Sequence, residues 1–323
     1  MATDCWQRQI TYARLSLTET CNFACPYCRP NQIAGSCLRA PKLSVNDWMI
    51  LAEALHLLGI KALRLTGGEP TLYPHLKDLV QSLTASHWFE DISMTTNGST
   101  LKEGASDFYA WGINRLNISL DAVTETAFTQ ATGRKGQLAN VICGIEEALK
   151  QPFSIIKINT VLSHYPTDQE VNQLLSYIEK WPVIWRFIEY MPLSTSKIKG
   201  PNFTEWTSQL ERLTGGSLRP VKQIYGHGPA SYYRLTNGTT IGFIFPMSHS
   251  YCSHCNRIRF TADGNLKLCL LHNEEIDLRT AIQSGASPQT ITNRIQTALL
   301  QRHESHQEAS NIRSDRPMWR IGG

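Results

Sequence analysis

From Ile10 to Tyr190 the chain repeats one unit, a short apolar or β-branched run followed by a polar turn and then, in most repeats, a helical pattern. The strand-like runs are 10–17, 61–66, 91–96, 115–120, 155–162 and 183–190. Helical patterns fill 44–58, 76–83, 124–130, 137–149 and 169–180. Ser44-Val-Asn-Asp47 has the form of a capping box with Asp for the usual Glu or Gln, and Gly59 closes that helix. Repeated strand–helix alternation predicts parallel strands joined by helical crossovers. Six units fall short of the eight of a closed barrel. The expected fold is α/β, an open partial (β/α)6 TIM-like barrel; periodicity alone leaves an open doubly wound sheet as the alternative. In either fold chemistry gathers at the carboxyl ends of the strands. The polar clusters fall there: Thr66-Gly-Gly-Glu-Pro70, Thr95-Thr-Asn-Gly98, Ser119-Leu-Asp121 and Glu189-Tyr-Met191.

After about residue 200 glycine, proline and turn signals multiply between short β-like runs such as 239–246 and 257–264. The expected division is a core over 1–214 and a smaller, partly β C-terminal region over 215–323, with helical patterns at 276–283 and 288–303. The 31 basic and 27 acidic side chains leave a net charge of +4, which suits a small anion and not a long polyanion, so no nucleic-acid partner is expected. No run of eighteen apolar residues exists, and the N-terminus lacks the apolar stretch of a secretory signal. A cytoplasmic protein with no membrane partner is expected, and its nine cysteines read as metal ligands and free thiols, not disulfides.

Six of those cysteines form two triplets. Cys21, Cys25 and Cys28 are spaced C-x₃-C-x₂-C directly after the first strand; Cys252, Cys255 and Cys269 are spaced C-x₂-C-x₁₃-C in the C-terminal region. Iron–sulfur clusters and closed zinc sites are normally held by four protein ligands. A triplet therefore leaves one coordination position open, and an open position is where a metal does chemistry. Zinc is the alternative at each site. His56 or His75 would have to complete the first set through an unrelated fold, whereas His254 or His272 could complete a zinc ribbon at the second.

The first triplet, with Tyr27 before its third cysteine and Gly67-Gly-Glu-Pro70 downstream, resembles the radical S-adenosylmethionine enzymes. The resemblance implies a 4Fe–4S cluster on Cys21, Cys25 and Cys28 whose open iron is chelated by S-adenosylmethionine, giving a 5′-deoxyadenosyl radical. It implies that Tyr27, Gly68, Ser119 and Met191 contact that reagent. The second triplet, with Arg257-Ile-Arg259 close behind it, narrows the likeness to the GTP 3′,8-cyclase family of molybdenum-cofactor biosynthesis. The likeness runs from Arg14 to Gly322-Gly323. It implies a second 4Fe–4S cluster on Cys252, Cys255 and Cys269 that binds the guanine. It also implies GTP contacts from Arg14, Arg64, Thr95, Lys157, Arg257, Ile258 and Arg259, Ile258 only as the middle of Arg-x-Arg, with Arg186 a weaker candidate. No catalytic residue beyond the clusters is implied. The product, 3′,8-cyclo-7,8-dihydro-GTP, would pass to cyclic pyranopterin monophosphate synthase. A reductant protein would supply electrons, and a homodimer is compatible.

The residues agree with a nucleotide site. Arg257 and Arg259 project from one face of a strand, and arginine forks suit phosphate oxygens. No G-x-x-x-x-G-K-[ST] occurs, so scattered side chains must hold the phosphates. Gly68 would permit close backbone approach, and Glu69 would offer an acceptor to the methionyl ammonium. The Gly-Gly tail is expected to enter the site.

Three features depart from the pattern. Ala62 stands where family members often have lysine, with Lys61 one place earlier and so on the opposite strand face. Arg29 replaces an apolar residue after Cys28. Cys5, Cys37 and Cys143 have no assigned role, Cys143 being expected in the core. A radical enzyme for another substrate class, such as a peptide, and a non-catalytic zinc module are the competing readings.

Overall fold

The computed structural model describes residues 2–29, 43–191, 199–305 and 316–322. A short ribbon, β1 (Ala2–Thr3) with β2 (Gln9–Ile10), precedes the sheet. Then come β3 (Tyr12–Ser16), β4 (Ala62–Thr66), β5 (Asp91–Thr96), β6 (Arg115–Ser119), β7 (Ile155–Leu162) and β8 (Ile184–Glu189), all parallel and in sequence order. These are the six expected strands, displaced by at most two residues at either end.

The connecting helices are α1 (Val45–Leu57), α2 (Leu76–Ala85), α3 (Leu101–Trp111), α4 (Glu125–Thr132), α5 (Leu138–Leu149) and α6 (Asp168–Lys180), and α7 (Phe203–Thr214) follows β8. The Ser44–Asp47 capping box forms as expected, the Asp47 amide donating to Ser44 Oγ and the Ser44 amide to Asp47 Oδ2. Thr167 with Glu170 and Asn202 with Glu205 repeat it on α6 and α7. The sequence patterns did not reveal α3 or α7. In α3 the buried Leu101, Ala105 and Phe108 keep helical spacing, but Gly104 breaks the propensity signal.

The C-terminal strands join the same sheet on both edges. β9 (Arg219–Val221), β10 (Ser231–Arg234) and β11 (Thr240–Ile244) extend it beyond β8, with β11 parallel to β8. β12 (Arg257–Phe260), parallel to β3, β13 (Asn265–Lys267) and β14 (Ile276–Asp277) extend the other edge. The result is a sheet of twelve strands whose edges are β14 and β9. Residues 276–283, expected as one helix, divide into β14 and α8 (Arg279–Gln283); α9 (Pro288–Leu299) and α10 (Met318–Ile321) complete the chain.

The strands are covered on both faces. Along β4 every residue is buried: Leu63 and Leu65 join the hydrophobic core, while Ala62, Arg64 and Thr66 alternate to the other face. That other face is polar, and in β3, β4 and β12 it bears arginine. Among the described residues no helix is long and apolar enough to cross a membrane. Cys143 lies exposed on α5, not in the core as expected; the outward face of an amphipathic helix takes a small thiol as easily as the inward one. Cys37 lies outside the described residues.

Candidate active site

One cavity opens at the carboxyl ends of the parallel strands. Cys21, Cys25 and Cys28 line it together with Tyr27, Gly68, Thr95, Ser119, Met191, Arg14, Arg64, Arg257 and Arg259. The fold thus brings both sets of expected contacts to one place, apart from Lys157 and Ile258.

The cysteine loop follows β3 and is tied down on two sides. The Ala24 amide donates to the Thr132 carbonyl, and Phe23 meets Phe128 edge-on at 5.9 Å, fixing the loop to α4. The Gly68 and Glu69 amides donate to the Thr18 and Thr20 carbonyls, sewing it to the turn after β4. A Cβ on Gly68 would lie 2.4 Å from the Thr20 carbonyl oxygen, so only glycine fits. The close approach expected at Gly68 is therefore made by the cysteine loop itself.

Glu69, expected as an acceptor for an ammonium group, lines the cavity and also braces its own turn. Its carboxylate is buried and takes four donors: the Thr71 amide and hydroxyl, the Thr96 hydroxyl at 2.7 Å and the Asn97 amide at 2.7 Å. A carboxylate offers about four lone-pair sites. Burial pushes the Glu69 pKa up against those hydrogen bonds. Glu69 braces the turn against the end of β5, and Asn97, so positioned, points its amide nitrogen at Cys21 Sγ, 3.9 Å away. The Tyr27 hydroxyl donates to Asp121 Oδ2 at 2.8 Å, while Asp121 Oδ1 accepts from the Val161 amide. Burial pushes the Asp121 pKa up to about 6.

The phosphate candidates form a row. Strand register sets Arg259 beside Arg14 and Arg14 beside Arg64, on three adjacent strands. Neighbouring strands lie about 4.8 Å apart, so three like charges are stacked at one level of the cavity wall. Arg64 and Arg259 form no ion pair among the described residues. Arg64 donates through Nε to Ser93 Oγ at 3.3 Å and lies over the Tyr12 ring. Its NH2, Tyr12 Oη and Thr95 Oγ1 are buried with no hydrogen-bond partner among the described residues. Burial, then Arg257, lowers the Arg259 pKa to about 10. Buried polar atoms without partners are costly and point to a ligand that would supply them. A polyphosphate would both neutralise the row and accept those hydrogen bonds.

Lys157 and Arg186 lie deeper. The Lys157 amine donates to the Tyr225 carbonyl. Burial, then Arg186 and Arg115, lowers its pKa to about 5. Arg186 is held by Asn117 and Asn159, at 2.8 and 2.6 Å from its NH2. Arg115 pairs with Asp91. Ile258 packs its side chain into the hydrophobic core, leaving only backbone for the cavity side. Ala62 shares the inner face with Arg64, between Tyr12 and Asp91, while Lys61 points outward to Glu90 at 2.9 Å. The offset lysine therefore does not replace the missing one.

Cys252, Cys255 and Cys269 line an adjoining cavity that shares Met191, Tyr251, Arg257, Arg259 and Leu270 with the first. Cys252 opens a single helical turn, Cys269 follows β13, and the Arg257 guanidinium lies 4.8 Å from the Tyr251 ring centre. Burial alone would raise the Cys255 pKa, but Arg257 and Arg302 bring it down to about 7.

Neither triplet has the dimensions of a zinc site. One zinc ion with Zn–S near ~2.3 Å would hold its thiolates ~3.8 Å apart. Among the described residues the one set of three or more His, Cys, Asp or Glu ligand atoms within 4.8 Å of one another is His272, Glu274 and His303. His254 turns to Ser253 and His56 to the Trp88 carbonyl, and His75 lies 4.0 Å from Asp78. Among the described residues no histidine completes either triplet. Three thiols facing a cavity, spread wider than a single ion allows, suit an iron–sulfur cluster with one open position.

The tail closes the cavity. Met318 lines it, Arg320 donates to Glu19 at 2.8 Å, and the Gly322 carbonyl accepts from Arg259 at 3.4 Å. A Cβ on Gly322 would lie 2.8 Å from Thr66 and 2.9 Å from Ser16. The tail thus reaches the ends of β3 and β4 as expected; Gly323 lies outside the described residues. Arg29, the departure after Cys28, stacks on Trp319 of this tail at 5.0 Å.

Sequence reasoning missed Tyr12, Tyr251 and Arg302. Tyr12 shares strand parity with Arg14, a signal that could have found it. Arg302, at the end of an unremarkable polar segment, carried none.

Two family models divide the chain: the radical SAM superfamily matches residues 15–178, and the molybdenum cofactor synthesis C-terminal family matches residues 183–308. The architecture agrees with solved relatives. The Streptococcus suis SuiB structure bound to S-adenosylmethionine superposes with a TM-score of 0.63 at 12% identity, covering 90% of this chain and 68% of that one. The structure of anSMEcpe with bound AdoMet gives 0.55 at 14% identity, covering 86% and 81%. Fold and cysteine loop together define a radical S-adenosylmethionine enzyme.

The sequence relatives are more specific. The GTP 3′,8-cyclase of Pelotomaculum thermopropionicum is 35% identical over 324 residues, covering 99% of both chains. That of Listeria monocytogenes is 34% identical over 327 residues, covering 97% of this chain and 96% of its own. The chain belongs to the GTP 3′,8-cyclase family.

Proposed function

We propose that this enzyme converts GTP to 3′,8-cyclo-7,8-dihydro-GTP, the first step of molybdenum-cofactor biosynthesis. The observation that carries the reading is the row Arg259–Arg14–Arg64 in the same cavity as the first cysteine loop, with Arg259 at its end also lining the cavity of the second triplet. A peptide-modifying enzyme has no use for three stacked guanidinium groups at that level.

Cys21, Cys25 and Cys28 would hold one 4Fe–4S cluster, and Cys252, Cys255 and Cys269 would hold another on the guanine side. The first cluster with S-adenosylmethionine would supply the radical chemistry that takes hydrogen from the ribose. The protein's own part is placement. Tyr27, Gly68, Ser119 and Met191 border the reagent. Arg14, Arg64, Arg257 and Arg259 hold the triphosphate with charge-assisted hydrogen bonds, helped by Thr95 and the Ile258 backbone. Lys157, deprotonated while the site is empty, takes up a proton as the anion arrives. The tail segment ending at Gly322, over the ends of β3 and β4, keeps water from the reacting atoms.

Residues 1–214 hold the reagent, residues 215–323 hold the base, and the phosphates bridge the two. We place the enzyme in the cytoplasm, where thiols stay reduced, as a possible homodimer in solution that takes electrons from a reductant protein and hands its product to cyclic pyranopterin monophosphate synthase.

The test is an anaerobic assay of reconstituted protein with GTP, S-adenosylmethionine and a reductant. The expected result is release of 5′-deoxyadenosine that depends on GTP, with the cyclised nucleotide accumulating. Deoxyadenosine that forms only with a peptide substrate would overturn the reading, as would protein with about two zinc ions and no acid-labile sulfide.

A further inference from the structure

Arg302 lies where the turn after α9 meets the second triplet, and it is buried. Its NH2 donates to Cys255 Sγ at 2.9 Å and to the Arg257 carbonyl at 3.1 Å. Its NH1 donates to the Cys255 carbonyl at 3.0 Å and to Asp4 Oδ2 at 3.1 Å. Both terminal nitrogens are therefore committed to protein groups, and this guanidinium is not available to a phosphate.

The N-terminal segment fixes it from behind. Asp4, itself buried, also takes Arg8 Nε at 2.6 Å. Arg8 in turn donates to the carbonyls of Cys252, His303 and Glu304. The Cys5 thiol and the Trp6 indole both donate to the Arg302 carbonyl. One carboxylate thus serves two buried arginines. The surplus positive charge is directed at the cysteine turn, and removing either arginine would leave Asp4 partly uncompensated.

The geometry points to Arg302 as the positioning residue that sets the reduction potential of the cluster on Cys252, Cys255 and Cys269. This rests on the proposal that the second triplet holds a cluster. Hydrogen bonds to ligating sulfurs and the local charge are what tune such potentials. The reduced form carries one more negative charge than the oxidised form, and a fixed cationic donor 2.9 Å from a ligand sulfur favours the reduced form. Arg302 therefore raises the potential of the second cluster and not that of the first.

The test is an EPR-monitored redox titration of anaerobically reconstituted protein, with iron and sulfide content measured alongside. In Arg302→Met the midpoint of the second cluster should move to more negative potential while that of the first stays in place. Arg302→Lys, which keeps the charge and loses the fork, should fall between. A fully loaded Arg302→Met protein with both midpoints unmoved would overturn the inference. Loss of the second cluster in both variants would overturn it as well, making Arg302 an assembly residue. Wild-type protein with a single cluster would instead remove the two-cluster proposal beneath it.

Discussion

The two cysteine triplets occupy neighbouring cavities and differ in the charged groups closest to their thiols. Around the first, burial pushes Cys21 up to about 11 and raises Cys25 and Cys28 as well, with the carboxylates of Glu69 and Asp121 adding to the effect. Around the second, Arg257 and Arg302 overcome burial at Cys255, although Cys269 remains raised. What separates the two sites is the guanidinium pair at Cys255, against the carboxylates of Glu69 and Asp121 near the first loop. The same fold supplies both because the first loop leaves β3 toward the acidic ends of β4 and β6, whereas the second lies against the arginine edge made by β12.

The largest expected effects separate the two sites outright. Cys25→Ala should abolish S-adenosylmethionine cleavage, scored as deoxyadenosine by chromatography. Cys255→Ala should keep the first cluster and some uncoupled cleavage yet yield no cyclised nucleotide. Equal loss of cleavage in both would show that the sites are not independent.

Next in size is the arginine row. Arg257→Ala or Arg64→Ala should weaken GTP binding by about 1.5–3 kcal/mol, roughly tenfold to a hundredfold or more, if each makes a charge-assisted hydrogen bond. S-adenosylmethionine affinity should hold. Calorimetric titration with each ligand distinguishes this from general damage to the cavity.

Lys157 gives a proton count. Its folded pKa of about 5 lies below the unfolded value of about 10.4. Between those limits the unfolded chain binds a proton the native state does not, so this group makes native stability rise with pH across that window and fall as pH drops toward 5. GTP binding at neutral pH should then draw in up to about one proton, seen by calorimetry in buffers of different ionisation enthalpy. Lys157→Met should abolish that uptake. Uptake unchanged in the variant would move the proton to another group.

The smallest effect is expected at Lys61→Ala. Its exposed pair with Glu90 should be worth at most about 1 kcal/mol of stability and nothing in GTP affinity.

Much of this was legible in the primary structure because the βα rhythm and the cysteine spacings are local. The six core strands, the Ser44 cap and the arginine parity on β12 all follow from short-range pattern. What escaped depends on pairing across long separations. Nothing near Arg259 indicates that it will stand beside Arg14, since that follows from β12 docking on β3. Nothing near Glu69 shows that Thr96 and Asn97 will donate to its carboxylate. Arg302 and Asp4 meet from opposite ends of the chain, and each looks like an ordinary surface charge until they are seen together.

The docking of β12 on β3 also orders the birth of the enzyme. Asn256 bonds to Thr11 across 245 residues of chain, and contacts of such separation close late and slowly. During synthesis the cysteine loop and its supporting helices can fold while the flank of β3 still waits for its neighbour. The phosphate row comes into being only when the last quarter of the polypeptide has emerged. Until then an unpaired strand edge is open to sticking to other chains. Truncated products that stop short of residue 257 are therefore expected to aggregate, not to persist as partial enzymes.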